Sequence, residues 1–573
     1  MKRGTLLVVL VALCILGNAA CGGSSHHVTP IPTNNFVFYA QGTDSKSLTY
    51  SIAGVVQISA DGNNTVMGGV QDFNDGSDGG IGTSPQPGGD TISATGSSLV
   101  FNPDGSGNAV LILATSNTAL GVDGVETFAL SFANANHAII AEFDGTATSL
   151  GSYDLQTLPT SALTGSSFSF TASGVDSEGL AIAEGGVYSL DGSGNITGTA
   201  DINDGGTVTT HDIADVTLGS ATLGTFGRGT VQGSLDGITL TVNYYIVNSE
   251  VLRIIDVDTT DTAVGSAYGQ GTAQGTFSNA SIGTSVFSVG GDSVLYNVVG
   301  QFTTEPTEDA AKPKANLRGV HSDGTPPTLG TFAGVADVNE SVDGGPIVTA
   351  QAFNGTWGLA TDGRGSFTFT APPTDDIAVF GVYAVDPTLN ILDPNNSAAG
   401  LTGGALLVEL DANLVGSGLL LPQVTSSGPV VGDIAADVVF GAQGNASEEA
   451  GIEEFELLGA STVSSGVFAG EGFIDDPFGI LTGTVIGDAN STFSGTFADD
   501  DEGIGRYTSG SGGFVATDSA DASIDFTVTA YDANGSQLFW IETDEDSTWG
   551  GSIQASTFTV PDAKKAQAKP KTK

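Results

Sequence analysis

Along most of the chain, apolar residues occupy alternate positions in short runs, and glycine, aspartate and asparagine separate the runs. A period of two turns one side of a segment toward a core and the other toward water, which is the pattern of a β-strand. In the first stretch it predicts strands at 36–40, 50–58, 66–72, 91–101, 109–114, 127–132, 138–143 and 150–155. Turns such as Asp61-Gly62-Asn63-Asn64 and Asp104-Gly105-Ser106-Gly107 carry the residue types that adopt positive φ in tight hairpins. No helical period is visible beyond the leader.

The pattern repeats, with three landmarks in a fixed order. The first is an alternating strand running into glycine: Phe36-Val37-Phe38-Tyr39-Ala40-Gln41-Gly42, Phe168-Ser169-Phe170-Thr171-Ala172-Ser173-Gly174, Val438-Val439-Phe440-Gly441-Ala442-Gln443-Gly444, and more weakly Val286-Phe287-Ser288-Val289-Gly290-Gly291. The second is an acidic corner, Asp72-Phe73-Asn74-Asp75 and Asp201-Ile202-Asn203-Asp204, with Asp337-Val338-Asn339-Glu340 close and a degraded copy near Ile474-Asp475-Asp476. The third closes the unit. It pairs Glu142 with Asp144, Asp256 with Asp258, Glu409 with Asp411 and Glu542 with Asp544, each followed seven residues after the aspartate by Gly151, Gly265, Gly418 or Gly551.

These landmarks divide the body into repeats at 35–160, 164–272, 283–423 and 436–560, the third with an inserted loop at about 303–328 rich in Pro, Lys and Asp. About eight consecutive strands joined by short turns make an all-β chain of four tandem antiparallel meanders. Such meanders can close into small up-and-down β-barrels, which removes their edges. β-Sandwich domains are the alternative.

The ends read as an address. Residues 1–20 form a signal peptide, with Lys2 and Arg3 ahead of an apolar run at 5–16. Asn18-Ala19-Ala20-Cys21 resembles the lipobox cut by lipoprotein signal peptidase, although Asn18 stands where Leu, Val or Ile is common. The resemblance implies lipid attachment at Cys21 and a tether at 21–34. Gly22 in place of an inner-membrane-retaining Asp points to the outer membrane, on its periplasmic face or at the cell surface. Cys14, the second of two cysteines, lies in the leader, so the mature body has no internal disulfide. Residues 561–573 form a basic tail expected to be disordered, either a solubilising end or a tether to an anionic polymer.

Charge sharpens the picture. The net charge is −49 with 15 basic residues. Two of these lie in the leader and Lys564, Lys565, Lys569, Lys571 and Lys573 in the tail, leaving eight in the body. Such a surface repels nucleic acid and attracts cations.

Calcium is therefore the first candidate cofactor, because carboxylates and amide oxygens gathered in one turn suit a hard cation. The candidate ligands are Asp72, Asn74, Asp75, Asp201, Asn203 and Asp204 at the corners and Glu142 with Asp144 on one strand face. Their spacing matches neither an EF-hand nor the nonapeptide calcium repeat, and Asp-Gly turns need no metal. Paired acids also suit glycoside hydrolysis, but recurrence in every unit fits a structural role better than one active site. His137, His211 and His321 are isolated and read as surface or turn residues, and no zinc set or nucleophile motif is present. Trp540 reads as core, whereas Trp549 is the better candidate for exposure, and Trp357 could also stack on a ligand.

The turns, corners and closing strands together resemble those of uncharacterised bacterial repeat lipoproteins, over nearly the whole mature chain. That resemblance implies localisation and architecture and brings no activity. The leading expectation is a non-enzymatic envelope lipoprotein, held to the membrane by its lipid, whose β modules bind an envelope polymer or extracellular ligand or serve adhesion. The alternatives are a carrier of small apolar ligands inside the barrels, which large inward side chains would rule against, and a polysaccharide-acting enzyme, which requires one unit to differ from the rest at a cleft.

Overall fold

The computed structural model describes residues 33–559 except for 46, 76–88, 160–162, 164–165, 192, 219–224, 236–237, 258–260, 291–295, 306–328, 341–344, 399, 425–428, 449–450, 477–485, 518–522 and 545–546. The signal peptide, Cys21, the tether, Asp258, most of the third-repeat insertion with His321, and the basic tail lie outside the described residues. Among the described residues, no helix is long and apolar enough to cross a membrane.

The alternating pattern becomes strand wherever it was read in the first repeat. Barrel 1 comprises Thr33–Asp44, Thr49–Ser59, Val66–Asn74, Asp90–Phe101, Asn108–Thr115, Val125–Asn134, His137–Phe143 and Ala147–Leu155. Each strand pairs with the next and the last with the first, closing the sheet. Barrel 2 runs in the same way from Ser167–Asp176 to Asp261–Gly269, and barrel 3 from Ser285–Gly290 to Ser417–Pro422. The fourth sheet starts at Asp437–Glu448 and ends at Ser547–Ala555. It has nine strands because one is broken into Ser523–Phe526 and Val528–Asp532, and pairing of Ile486–Asp499 with Arg506–Thr517 joins its two halves. Pairing around a full circle sets the sandwich alternative aside.

The landmark glycine closes each seam. In barrel 1, Gly151 on the last strand pairs with Ala40 on the first, and a Cβ at Gly151 would lie 1.8 Å from the Tyr39 carbonyl oxygen. At Gly265, Gly418 and Gly551 the corresponding distance is 2.0 Å, to Thr171, Ser288 and Gly441. Only a residue without a side chain lets these two strands approach so closely.

Alternation then sorts the side chains. In barrel 1, Phe36, Phe38, Phe128, Phe132 and Tyr153 fill the interior. Phe287, Phe302, Phe332, Phe353, Phe367 and Phe380 do the same in barrel 3. Trp540 and Trp549 stack edge-to-face inside barrel 4, 5.0 Å apart. Trp549 is thus fully buried rather than exposed, and Trp357 is 1% exposed. In barrels 1, 3 and 4 these rings occupy the interior that the carrier reading would need for a small apolar ligand.

The outer faces differ around each barrel. Asp90–Phe101 exposes most of one side, whereas His137–Phe143, Ala405–Glu409 and Gln537–Glu542 are buried on both. A strand buried on both sides must be covered by something outside its own barrel. Here the cover is the preceding barrel around the ring. The first strands of barrel 1 pack on the last strands of barrel 2, those of barrel 2 on barrel 3, those of barrel 3 on barrel 4, and those of barrel 4 on the last strands of barrel 1. Four head-to-tail contacts close a ring, and the described residues from 33 to 559 belong to a single compact unit. The segment leaving each barrel clasps the following one: Thr157 N donates to Val247 O, the Gln270 amide to Asp362 O, the Gln423 amide to Asp532 O, and Thr557 N back to Ala133 O in barrel 1.

Candidate functional site

Two places gather chemistry-bearing side chains: the joints between barrels and the axis of the ring.

The acidic corners form the joints. Asp72 of barrel 1 accepts from Arg228 Nε at 2.7 Å, Arg228 Nη2 at 2.8 Å and Tyr245 Oη, all from barrel 2. Asp201 of barrel 2 accepts from Arg364 Nε at 2.8 Å, from Arg364 Nη2, and from Tyr383 Oη at 2.8 Å, all from barrel 3. Asp337 of barrel 3 accepts from Arg506 Nε at 2.9 Å, Arg506 Nη2 at 2.7 Å and Tyr531 Oη of barrel 4. A planar guanidinium matches a carboxylate bidentately, which fixes the angle between barrels as well as holding them. Two residues on from each aspartate, an asparagine reaches the neighbour's closing hairpin. The Asn74 amide donates to the Asp256 and Asp261 carbonyls, Asn203 to those of Glu409, Asp411 and Leu414, and Asn339 to those of Glu542 and Ser547. The second landmark of one repeat thus docks on the third landmark of the next.

This placement bears on the calcium candidates. Asp72 and Asp201 face arginine and tyrosine, and Asn74 and Asn203 turn their amide nitrogens, not oxygens, to the neighbouring carbonyls. Asp75 is buried and Asp204 half-buried, the latter raised by burial and by Asp176 beside it. Glu142 is buried and pushed well up by burial, with Asp144, Glu126 and Asp475 adding to the effect. Asp144 lies beyond the strand end, where it accepts from the backbone of Thr146 and Thr127 and acts as a turn cap. Among the described residues no group of three or more His, Cys, Asp or Glu is arranged to hold a metal ion.

The axis is different. Where the four barrels meet lies a cavity of about 290 Å³ with lining residues from all of them, among them Tyr39, His137, Arg253, Asn297 and Gln443. A neighbouring space of about 200 Å³ shares Tyr39, Tyr268 and Gln443 with it. The long segment 385–404 of barrel 3 covers the axis. Its Ile391 and Leu392 line the larger cavity, and it is tied to barrel 1 through Asp393 and Asn395, to barrel 2 through the Pro394 carbonyl, and to barrel 4 through Asn390.

The polar centre of the axis is a triad. Asp154 accepts from His137 Nδ1 at 2.8 Å, Arg253 Nη2 at 2.6 Å and Ser152 Oγ at 2.8 Å. Arg253 Nη1 donates to Ser266 Oγ and Tyr268 Oη, and its guanidinium lies 4.6 Å from the centre of the Tyr39 ring. Burial works to raise Asp154, but the Arg253 charge and the His137 hydrogen bond outweigh it and hold the carboxyl at about 2. Burial likewise opposes charge on His137, yet the hydrogen bond and charge of Asp154 raise it above its usual value. His137 is 1% exposed, so the surface histidine expected from sequence is instead part of the core.

The triad breaks the repeat. Arg253 pairs with the residue after the landmark glycine, a place taken by Ile139, Leu406 and Phe539 in the other barrels. Asp154, three residues past Gly151, matches Tyr268, Leu421 and Gln554. Ser152 donates to Asp154 rather than to His137, so this His–Asp pair activates no hydroxyl there.

No family model matches the chain, and no curated protein matches it. Among solved structures, transferrin binding protein B from Haemophilus parasuis Hp5, a Tyr-167-Ala and Trp-176-Ala double mutant, aligns at a TM-score of 0.19 and 10% identity over 92% of this chain and 95% of that one. A putative AttH from Nitrosomonas europaea aligns at 0.16 and 8%, over 41% and 92%. At these TM-scores neither likeness bears on what this chain does.

The joint arginines are functional residues whose role the sequence pattern did not disclose, but a signal was present. Arg228, Arg253, Arg364 and Arg506 are the only Lys or Arg among the described residues, and each pairs with an aspartate. In so acidic a chain, three arginines recurring after the same glycine turn mark a built contact.

Proposed function

We propose that the chain is a non-enzymatic lipoprotein of the bacterial cell envelope, anchored through Cys21 to the outer membrane, whose four barrels act as one rigid acidic ring that displays a binding surface. The observation that supports this most directly is where the recurring acidic residues go: the corner side chains hold barrels together, and closing acids such as Asp144, Asp411 and Asp544 cap turns of their own barrels instead of lining a cleft. The outward strands, such as Asp90–Phe101 and Ile347–Leu359, keep exposed side chains around the rim. A fixed ring presents related rims at set spacing, so weak contacts with an envelope polymer or extracellular ligand add as avidity. The enzyme reading gains nothing from the joints, where three of four carry the same side chains.

Two measurements test this. In detergent phase partition, the full chain is expected in the detergent phase and Cys21→Ala in the aqueous phase; equal partition removes the anchor. In co-sedimentation of the full chain with purified peptidoglycan and with outer-membrane polysaccharide, saturable retention of intact polymer is expected. Release of soluble fragments would make the protein an enzyme, and retention on neither polymer would remove the envelope-binding reading.

A further inference from the structure

The axial cavity stands apart from the rest of this acidic molecule. Among the described residues lining it and the adjoining space there is no Asp or Glu, although the chain carries 64. Its charged or chargeable lining groups are Arg253 and His137. Two buried nitrogens in this lining have no hydrogen-bond partner among the described residues: Arg253 Nε, a donor, and His137 Nε2, which becomes a donor when the imidazole is protonated. A buried donor left unpaired is destabilising, so two such groups at one cavity call for a ligand that accepts. The carboxylates behind the lining are already engaged. Asp154 holds the other ends of both groups, and Asp393 accepts from Asn134 Nδ2 and the Asn395 backbone. The acids therefore orient the two cationic groups from behind, while Asn297, Ser417 and Gln443 from barrels 3 and 4 supply neutral polar groups around the space. Barrels 3 and 4 carry apolar residues at the Arg253 position, so this feature is absent from the shared repeat.

We infer that the axial cavity is a binding site for a small carboxylate anion, which accepts hydrogen bonds from Arg253 Nε and His137 Nε2. The site rests on the ring geometry alone and holds whether or not the chain is lipid-anchored. Planar oxygens suit the guanidinium, the Tyr39 ring packs on its face at 4.6 Å, and the volume of about 290 Å³ admits a compact molecule rather than a polymer. Binding weakens as pH rises and His137 loses its proton; Asp154, Asp393, Arg253, Tyr39 and Tyr268 are the titratable groups around it.

The test uses the full chain with sodium acetate as probe, uncharged acetamide as its shape match and sodium chloride at equal ionic strength. Calorimetric titration is paired with the 15N resonances of the His137 imidazole. Saturable acetate binding that perturbs Nε2, with none from acetamide, is expected. Removing Arg253 alone would strand Asp154, so the variant is Arg253→Leu with Asp154→Leu, the residues barrel 3 carries as Leu406 and Leu421. Binding should fall at least tenfold in it, and also in His137→Gln, the residue of barrel 4 at Gln537. Equal responses to acetate and acetamide, an unmoved His137 resonance at saturating acetate, or full binding in His137→Gln would each overturn the site. The 15N readout on the unmodified chain decides the matter even if the double variant fails to fold.

Discussion

Three joints of the ring are built alike and the fourth is not. Between barrels 1 and 2, 2 and 3, and 3 and 4, an aspartate meets an arginine and a tyrosine. Where barrel 4 returns to barrel 1, the register puts Phe473 in the aspartate position, Asn108 in the arginine position and Ser131 in the tyrosine position. Phe473 instead packs against Phe143, ring centres 5.5 Å apart, within a small apolar cluster. The Asn108 amide donates to the Glu471 carbonyl at 2.8 Å. Both sides of the contact differ together from the other three joints, and within barrel 1 Ser131 Oγ donates to Asn108 Oδ1 at 2.6 Å. Asp475 occupies the place of the docking asparagine, and Glu142, Glu454 and Glu456 are buried beside it. Burial pushes Glu456 well up, and Glu454 and Asp475 add to that. One kind of joint is held by charge pairing, the other by apolar contact beside buried carboxyls, of which burial disfavours the charge on Glu142 and Glu456.

The largest effect should come from breaking a charged joint on one side. Arg364→Ala leaves Asp201 buried against Tyr383 and is expected to cost about 3–5 kcal/mol by denaturant unfolding. Adding Asp201→Leu should recover most of that loss, because a buried pair replaced by apolar side chains is close to neutral. If the double variant is no better than the single, the pair is not the source of the joint's stability. The matching cut at the fourth joint, Phe473→Ala, is expected to cost about 3 kcal/mol through the cavity it leaves, with hydrogen exchange rising in 137–143 and 455–463 but not at the other joints.

Acidity separates the two kinds of joint next. Glu142 and Glu456 are raised by burial, and Glu126 in barrel 1 is pushed up to about 8. A carboxyl raised on folding contributes stability that is complete below its ordinary range and lost as pH rises through the folded value. The barrel 4–barrel 1 region should therefore loosen between about pH 4.5 and 8 and beyond. The axial Asp154, held at about 2, behaves oppositely and loses its contribution only in strong acid. Site-resolved hydrogen exchange against pH checks this, and Glu456→Gln should flatten the alkaline loss; an unchanged profile would remove the carboxyls as its cause. The smallest change is Asn203→Ala, expected to cost about 1–2 kcal/mol for its carbonyl contacts, with Asn108→Ala smaller still.

How much of this was legible can be judged residue by residue. All eight strands of barrel 1 follow from alternation, although each observed strand tends to run a few residues further, as Thr33–Asp44 does beyond 36–40. Cross-strand pairing carries a ladder past the last apolar residue, so such ends do not show in hydropathy. The closing strands advertised their double burial through runs such as Ala138-Ile139-Ile140-Ala141 and Leu538-Phe539-Trp540-Ile541. Those runs say that something covers the strand, but not what. His137 looked solitary because its partners, Asp154 and Arg253, lie 17 and more than a hundred residues away in the chain.

By itself, then, the sequence determined the strand class, the four repeats, the turns and the landmark glycine that recurs at the end of each repeat. These follow from local chemistry: side-chain alternation, backbone freedom and the bulk of a single Cβ. Tertiary structure alone decided that the repeats form a ring, that Asp72 meets Arg228 across 156 positions, and that the described lining of the axial cavity carries no carboxylate. The physical reason is that pairing between barrels depends on which outer faces come together. A carboxylate in a turn reads the same whether it meets water, a cation or the arginine of its neighbour.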